Sequence, residues 1–163
     1  MTQEEIITKA VLDILNEKKS EITTSKSDKI TLEVAKRLIA KIEEKAKEWN
    51  MRIVAAVSDA SGRPIAVHSM DGASHGSFDV ALNKCYTVTA FQMPTSELAK
   101  LCRPDGELYG LQFSNDGKVM ILGGGVPLKV NGEIVGALGV SGGTAPMDSA
   151  LAEYGEQIFD TCR

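Results

Sequence analysis

The 163-residue sequence predicts an α/β protein of the α+β kind, a central, mostly antiparallel five-stranded sheet with packed helices, preceded by a separate amphipathic helix. Three observations carry this. Short apolar runs of strand type follow one another across tight turn signals, which suits antiparallel pairing, since parallel strands need a long crossover. Longer segments with apolar residues at helical spacing flank those runs. A polar stretch, KSEITTSKSDK at residues 19–29, sets the first helical segment apart from everything after it and has the composition of a flexible tether.

Within residues 1–18, Ile6, Ile7, Ala10, Val11, Ile14 and Leu15 form one apolar stripe, opposite Glu4, Thr8, Lys9, Asp13, Glu17 and Lys18. Thr2 and Glu5 have the spacing of a capping box. A helix this short is marginal alone in water, so the stripe needs a surface to lie on. Residues 19–30 are the linker and 31–163 the domain. Its first helix starts near Thr31, with Leu32, Ala35, Leu38, Ile39, Ile42, Ala46 and Trp49 on one face. Strands are expected at 52–58 and 64–69, across the Asp59-Ala60-Ser61-Gly62 turn. A helix follows from Ser77 to about Phe91, stopped at Met93-Pro94, and a short helix capped by Thr95 runs to about Leu101. Residues 102–117 read as loop. Further strands are expected at 118–122, 126–130 and 133–141, the last two joined by Asn131-Gly132, the strongest hairpin signal in the chain. A final helix covers about 146–161.

Composition removes several function classes. The chain is 43% hydrophobic and 25% charged, with a net charge of −4, and has no clustered basic face for nucleic acid. No apolar run approaches the roughly 18 residues of a membrane span, and Glu4, Glu5 and Asp13 spoil a signal peptide. Neither nucleic acid nor membrane is expected as a partner. Cys85, Cys102 and Cys162 are odd in number and widely spaced, which argues against a disulfide framework or zinc site and for the reduced thiols of a cytoplasmic protein.

Three stretches carry a resemblance: VSDASGRPIAVHSMDGA, SFDVALNKCYTVTAFQMPTSELA and LYGLQFSNDGKVMILGGGVPLKVNGEIVGALGVSGGTAPMD. They closely resemble the GlcG/HbpS family, whose module also forms the C-terminal domain of PduO-type proteins. The match runs from about Leu32 to the C-terminus. It implies a profilin-like fold, assembly into homo-oligomers and, as in several members, haem binding. Residues 1–18 are similar to encapsulation peptides, which dock cargo to a shell protein of bacterial microcompartments. The two resemblances together imply a haem- or tetrapyrrole-binding accessory protein in a microcompartment lumen. Corrinoid ranks behind haem, because the adenosyltransferase domain of full-length PduO-type proteins has no counterpart here. Two other functions compete: an enzyme acting on a small organic acid or aldehyde, and a non-catalytic assembly module that presents shell-binding helices. No residue stands out as a catalytic base.

His68 and His75 are the candidate haem-iron ligands, histidine being a common axial donor, with Val67 and Met70 as apolar neighbours for a porphyrin face. The competing reading makes one a strand-end histidine and the other a solvated loop histidine. His68, Asp71, His75 and Asp79 would also make a donor set for zinc or iron. Against that, Asp71 serves an Asp-Gly turn, Asp79 complements a helix dipole, and no rigid helix fixes the spacing. Gly123-Gly124-Gly125 lacks the Gly-Lys-Ser/Thr of a phosphate loop and is read as permitting close backbone approach beside a pocket. Lys84 is a candidate partner for a haem propionate or organic acid, the alternative being an ordinary surface lysine. Arg103 is a second anion-binding candidate. Cys102-Arg103-Pro104 is not a Cys-Pro haem motif, and Ser74-His75 lacks a nucleophile elbow.

Overall fold

The computed structural model describes residues 7–9, 11–13 and 28–163. Residues 7–9 and 11–13 are helical, as expected there. The capping box, Ile6, Ala10, Ile14, Leu15 and most of the linker lie outside the described residues. Ile30 is buried in the domain core, so the folded domain begins one residue inside the expected linker.

Helix α1 spans Leu32–Glu48. The Thr31 hydroxyl accepts from the Val34 amide at 3.2 Å, satisfying one of the amides a helix start leaves without a partner. Its far end closes through Asn50, in the left-handed region at φ 53, with the Met51 amide donating to the Ala46 carbonyl and that of Asn50 to Lys47. Strands β1 (Val54–Asp59) and β2 (Pro64–Ser69) follow. Asp59 Oδ1 accepts from the amides of Ser61 and Arg63, the Asx arrangement that makes this turn tight. Helices α2 (Ser77–Phe91) and α3 (Thr95–Leu101) come next, then two short 3-10 turns at Leu111–Phe113 and Asn115–Gly117. Strands β3 (Gly125–Val130) and β4 (Glu133–Ser141) flank Asn131-Gly132, whose φ values of 51 and 84 are those a primed two-residue hairpin turn demands. Helix α4 (Ala145–Cys162) starts at Thr144, whose hydroxyl accepts from Met147.

The sheet is four-stranded, in the order β2-β1-β4-β3, with every pairing antiparallel. The fifth strand expected at 118–122 is absent. Val119 is buried against Leu98 and Cys102 instead, and the Met120 amide donates to the Thr87 hydroxyl of α2 at 2.8 Å. This run meets its burial and backbone needs against helices, so its apolar character never recruits a strand partner.

Alternation along the strands divides two faces. Ile53, Ala55, Val57, Val126, Leu128, Leu138 and Val140 meet α1 and α4 in the main core. Val54, Ala56 and Ala137 meet Ala81, Cys85 and Val88 of α2. On this second face a Cβ at Gly139 would collide with the Ala81 carbonyl oxygen, so α2 sits unusually close to the sheet. Among the described residues no helix is long and apolar enough to cross a membrane.

Candidate functional site

Lys84 is not a surface lysine: its side chain is 1% exposed. From α2 it passes the start of β3 at the end of the sheet and donates to the Val140 carbonyl at 2.6 Å and to Asp148 Oδ2 at 3.0 Å. The other oxygen of Asp148 accepts from the Gly143 amide at 2.8 Å. The glycine loop closes over this pair. A Cβ at Gly124 would stand 2.7 Å from the ammonium nitrogen and 2.6 Å from the Val140 carbonyl oxygen, and φ there is +113, a conformation side chains resist. Gly124 also accepts from the Val140 amide, and Gly125 donates to the Thr95 hydroxyl. Burial pushes the Lys84 pKa below its ordinary value, with Asp148 pulling the other way.

The structure therefore brings Lys84 and Gly123–Gly125 together, and the anionic group Lys84 meets is Asp148. From the sequence, Asp148 is simply one residue of the last helix, expected at about 146–161. Its role depends on a partner 64 residues away, and no local motif marks that pairing.

His68 sits on edge strand β2 opposite Ala55, hence on the α1 side of the sheet. Its Nδ1 lies 2.9 Å from Glu43 Oε1, with the two side chains 41% and 24% exposed. His75 is exposed in the turn before α2 and shares a hollow of about 450 Å³ with Ser69, Phe78 and Asp79. His68, Asp71, His75 and Asp79 do not converge: no group of three or more metal-donor side chains exists among the described residues. Arg103 is exposed outside these features, and Cys102 is buried with Leu98 and Val119. All three cysteines are unpaired and buried, and burial pushes the Cys85 thiol up to about 12.

The hollow beside His75 does not stand alone. A second, of about 470 Å³, is lined by Glu43, Lys47, Met51, Arg52 and Met70, and shares Ser69 with the first. A third, of about 450 Å³, adds Gly142, Gly143 and Met147 and shares Ser74 with the first and Arg52 with the second. They make a continuous trough across the end of the sheet where β1 starts and β2 and β4 finish. Sequence reasoning missed Arg52, which as the first residue of an apolar run looked like strand entry.

Two helices on one face, one on the other and a polar trough at one end define a small three-layer α/β domain. The chain belongs to the HbpS-like family: residues 30–157 match the family described as haem degrading protein HbpS-like. It is 42% identical over 130 residues to an uncharacterized 15.0 kDa protein from the dhaT-dhaS intergenic region of Citrobacter freundii, covering 80% of this chain and 92% of that one. It is 34% identical over 110 residues to the corrinoid adenosyltransferase PduO of Salmonella typhimurium, covering 68% of this chain and only 33% of PduO. A crystal structure of a PduOC–haem complex superposes with a TM-score of 0.76 at 29% identity, covering 79% of this chain and 94% of that one. The α/β fold expected from the sequence is thus the family's fold, with one strand fewer in the sheet than expected.

Proposed function

We propose that this protein binds haem, with His68 as an iron ligand, and serves as an accessory protein of a bacterial microcompartment. The observation that carries the haem reading is the His68–Glu43 pair. A carboxylate beside Nδ1 favours the tautomer with its proton there, which leaves the lone pair on Nε2 and orients the ring. That is the outer-sphere arrangement metal-ligating histidines adopt, here on a half-exposed side chain of an edge strand. Bound haem would supply its iron for redox or ligand chemistry, while His68 would hold it and Glu43 would set the ring's orientation. The family's description and the solved PduOC–haem complex support haem as the ligand, and the choice of His68 rests on its pairing with Glu43. Corrinoid ranks behind it, since the solved PduOC neighbour is a haem complex; the chain spans about a third of the adenosyltransferase it matches.

Hemin titration of the purified protein tests the reading. A saturable Soret shift is expected, weakened by His68→Ala and altered in ligand-field bands by Glu43→Gln, with His75→Ala showing whether the second histidine contributes. No saturable shift in the wild type would sink the haem assignment.

The address rests on the N-terminal helix. Ile7 and Val11, one turn apart in the helical residues, are 58% and 50% exposed, an apolar pair suited to a groove in a shell protein. Several copies in a homo-oligomer would raise the avidity of such weak docking. Full-length protein fused to a fluorescent tag should form puncta with intact compartments, and Ile7→Glu with Leu15→Glu should make it diffuse. Diffuse wild-type fluorescence would count against a lumenal, cytoplasmic-compartment location.

A further inference from the structure

We propose that the trough at the end of the sheet is a carboxylate-binding site with Arg52 as its anchor. The Arg52 guanidinium is exposed into two of the three connected hollows and makes no ion pair or hydrogen bond among the described residues. Its side chain lies across Gly72, where a Cβ would come 2.8 Å from Nη1 and 3.1 Å from Cδ. Any other residue at Gly72 would push the guanidinium off this path. The planar fork of arginine matches a carboxylate through two parallel hydrogen bonds, and the hydroxyls of Ser69 and Ser74 stand along the same trough. Met51, Met70 and Met147 give it an adaptable apolar lining, which suits an acid with a hydrocarbon body.

The surrounding charge narrows the ligand further. Lys47 adds a second cation, Glu43 is engaged by His68, and Asp71 stays in the same hollow as a lone carboxylate. Asp71 disfavours a dianion such as phosphate more than a singly charged carboxylate. The Gly142–Gly143 corner, packed against the Arg52 backbone, is held in place from α4. Gly143 is held by Asp148, which is held by Lys84, both nearly fully buried. A buried ion pair is a weak device for stability alone, whereas placing the Gly142–Gly143 corner is something the pair visibly does.

A carboxylate here has two sources, a haem propionate or a free small organic acid. The first source rests on the haem reading and the second does not. The test compares wild type, Arg52→Ala and Arg103→Ala, the last removing an exposed arginine outside the trough. Each is titrated with hemin, with hemin dimethyl ester, and, without haem, with sodium propionate and inorganic phosphate followed by calorimetry or amide chemical shifts. Loss of one charged hydrogen-bonding anchor should weaken binding about tenfold or more. Weakened hemin binding in Arg52→Ala, with the dimethyl ester unaffected, assigns the carboxylate to haem. Propionate binding in the wild type that Arg52→Ala abolishes assigns a free acid, and stands even if no Soret shift is ever seen. Equal binding of wild type and Arg52→Ala overturns the proposal, as does an equal loss in Arg103→Ala, tighter phosphate than propionate binding, or no binding of either probe.

Discussion

The two faces of the sheet are built on different principles. Toward α1 and α4 the contacts are large aliphatic side chains, Leu38, Ile39, Ile42, Leu128, Leu138 and Leu151, meeting across an interhelical space that side chains fill. Toward α2 they are Ala56, Ala81, Cys85, Ala137 and Gly139, and the backbone itself comes into contact. The first face tolerates rearrangement because branched side chains repack. The second does not, because a carbonyl oxygen cannot change rotamer. The close approach is also what lets Lys84 on α2 reach past the sheet's end to Asp148. Proximity there serves placement, and bulk on the other face serves cohesion.

The largest expected effect lies on the close face. Lys84→Met leaves Asp148 buried without its partner and should cost about 3–5 kcal/mol in urea denaturation, whereas Lys84→Met combined with Asp148→Leu should recover most of the loss. A double variant as unstable as the single one would show that the pair does more than neutralise itself. Next, Ala81→Val adds only two carbons but has no space, and about 1–3 kcal/mol of destabilisation is expected. On the aliphatic face Ile42→Leu should cost less than about 1.5 kcal/mol. Reversal of that order would erase the contrast between the faces.

A smaller, pH-dependent effect follows from Lys84. Its pKa in the folded state is below the ordinary value of 10.5, so between the two values the unfolded chain holds the extra proton. Stability from this residue therefore rises with pH across that window and is lost as pH falls through the folded value. The difference in stability between wild type and Lys84→Met should widen toward alkaline pH, read from denaturation midpoints in a pH series. Smallest of all, the buried thiols should not react with a disulfide reagent at pH 8 in the native state, and all three should titrate after unfolding.

Most of the fold was legible from local signals. Asn131-Gly132 marked the β3–β4 hairpin, Thr31 the start of α1, and Met93-Pro94 the stop of a helix expected from Ser77 to about Phe91, which is α2. The failure at 118–122 has a physical cause, since KVMIL carries strand character but spends it on Leu98, Cys102 and Thr87. The site was legible only in pieces. The glycine run and Lys84 were singled out separately, on residue type and resemblance. What joins them is Asp148, through a contact spanning 64 residues, and such a contact leaves no periodicity to read. Arg52 went unremarked because an arginine before an apolar run is ordinary, and only the fold shows that Gly72 clears its path.

The position of the chain's entry has a consequence for orientation. Asp28, Lys29 and Ile30 line a hollow with Asp59, Ala60 and Ser61, at the turn end of β1. The trough lies at the opposite end, where Arg52 leads into the same strand. Six residues of strand separate them, about 20 Å at the usual rise. In a domain moored by its amino-terminal segment, the chain would therefore leave from the end of the sheet opposite the trough. The segment that would hold the domain and the hollows that would take a ligand thus occupy separate ends of the same strand, so occupying one leaves the other uncovered.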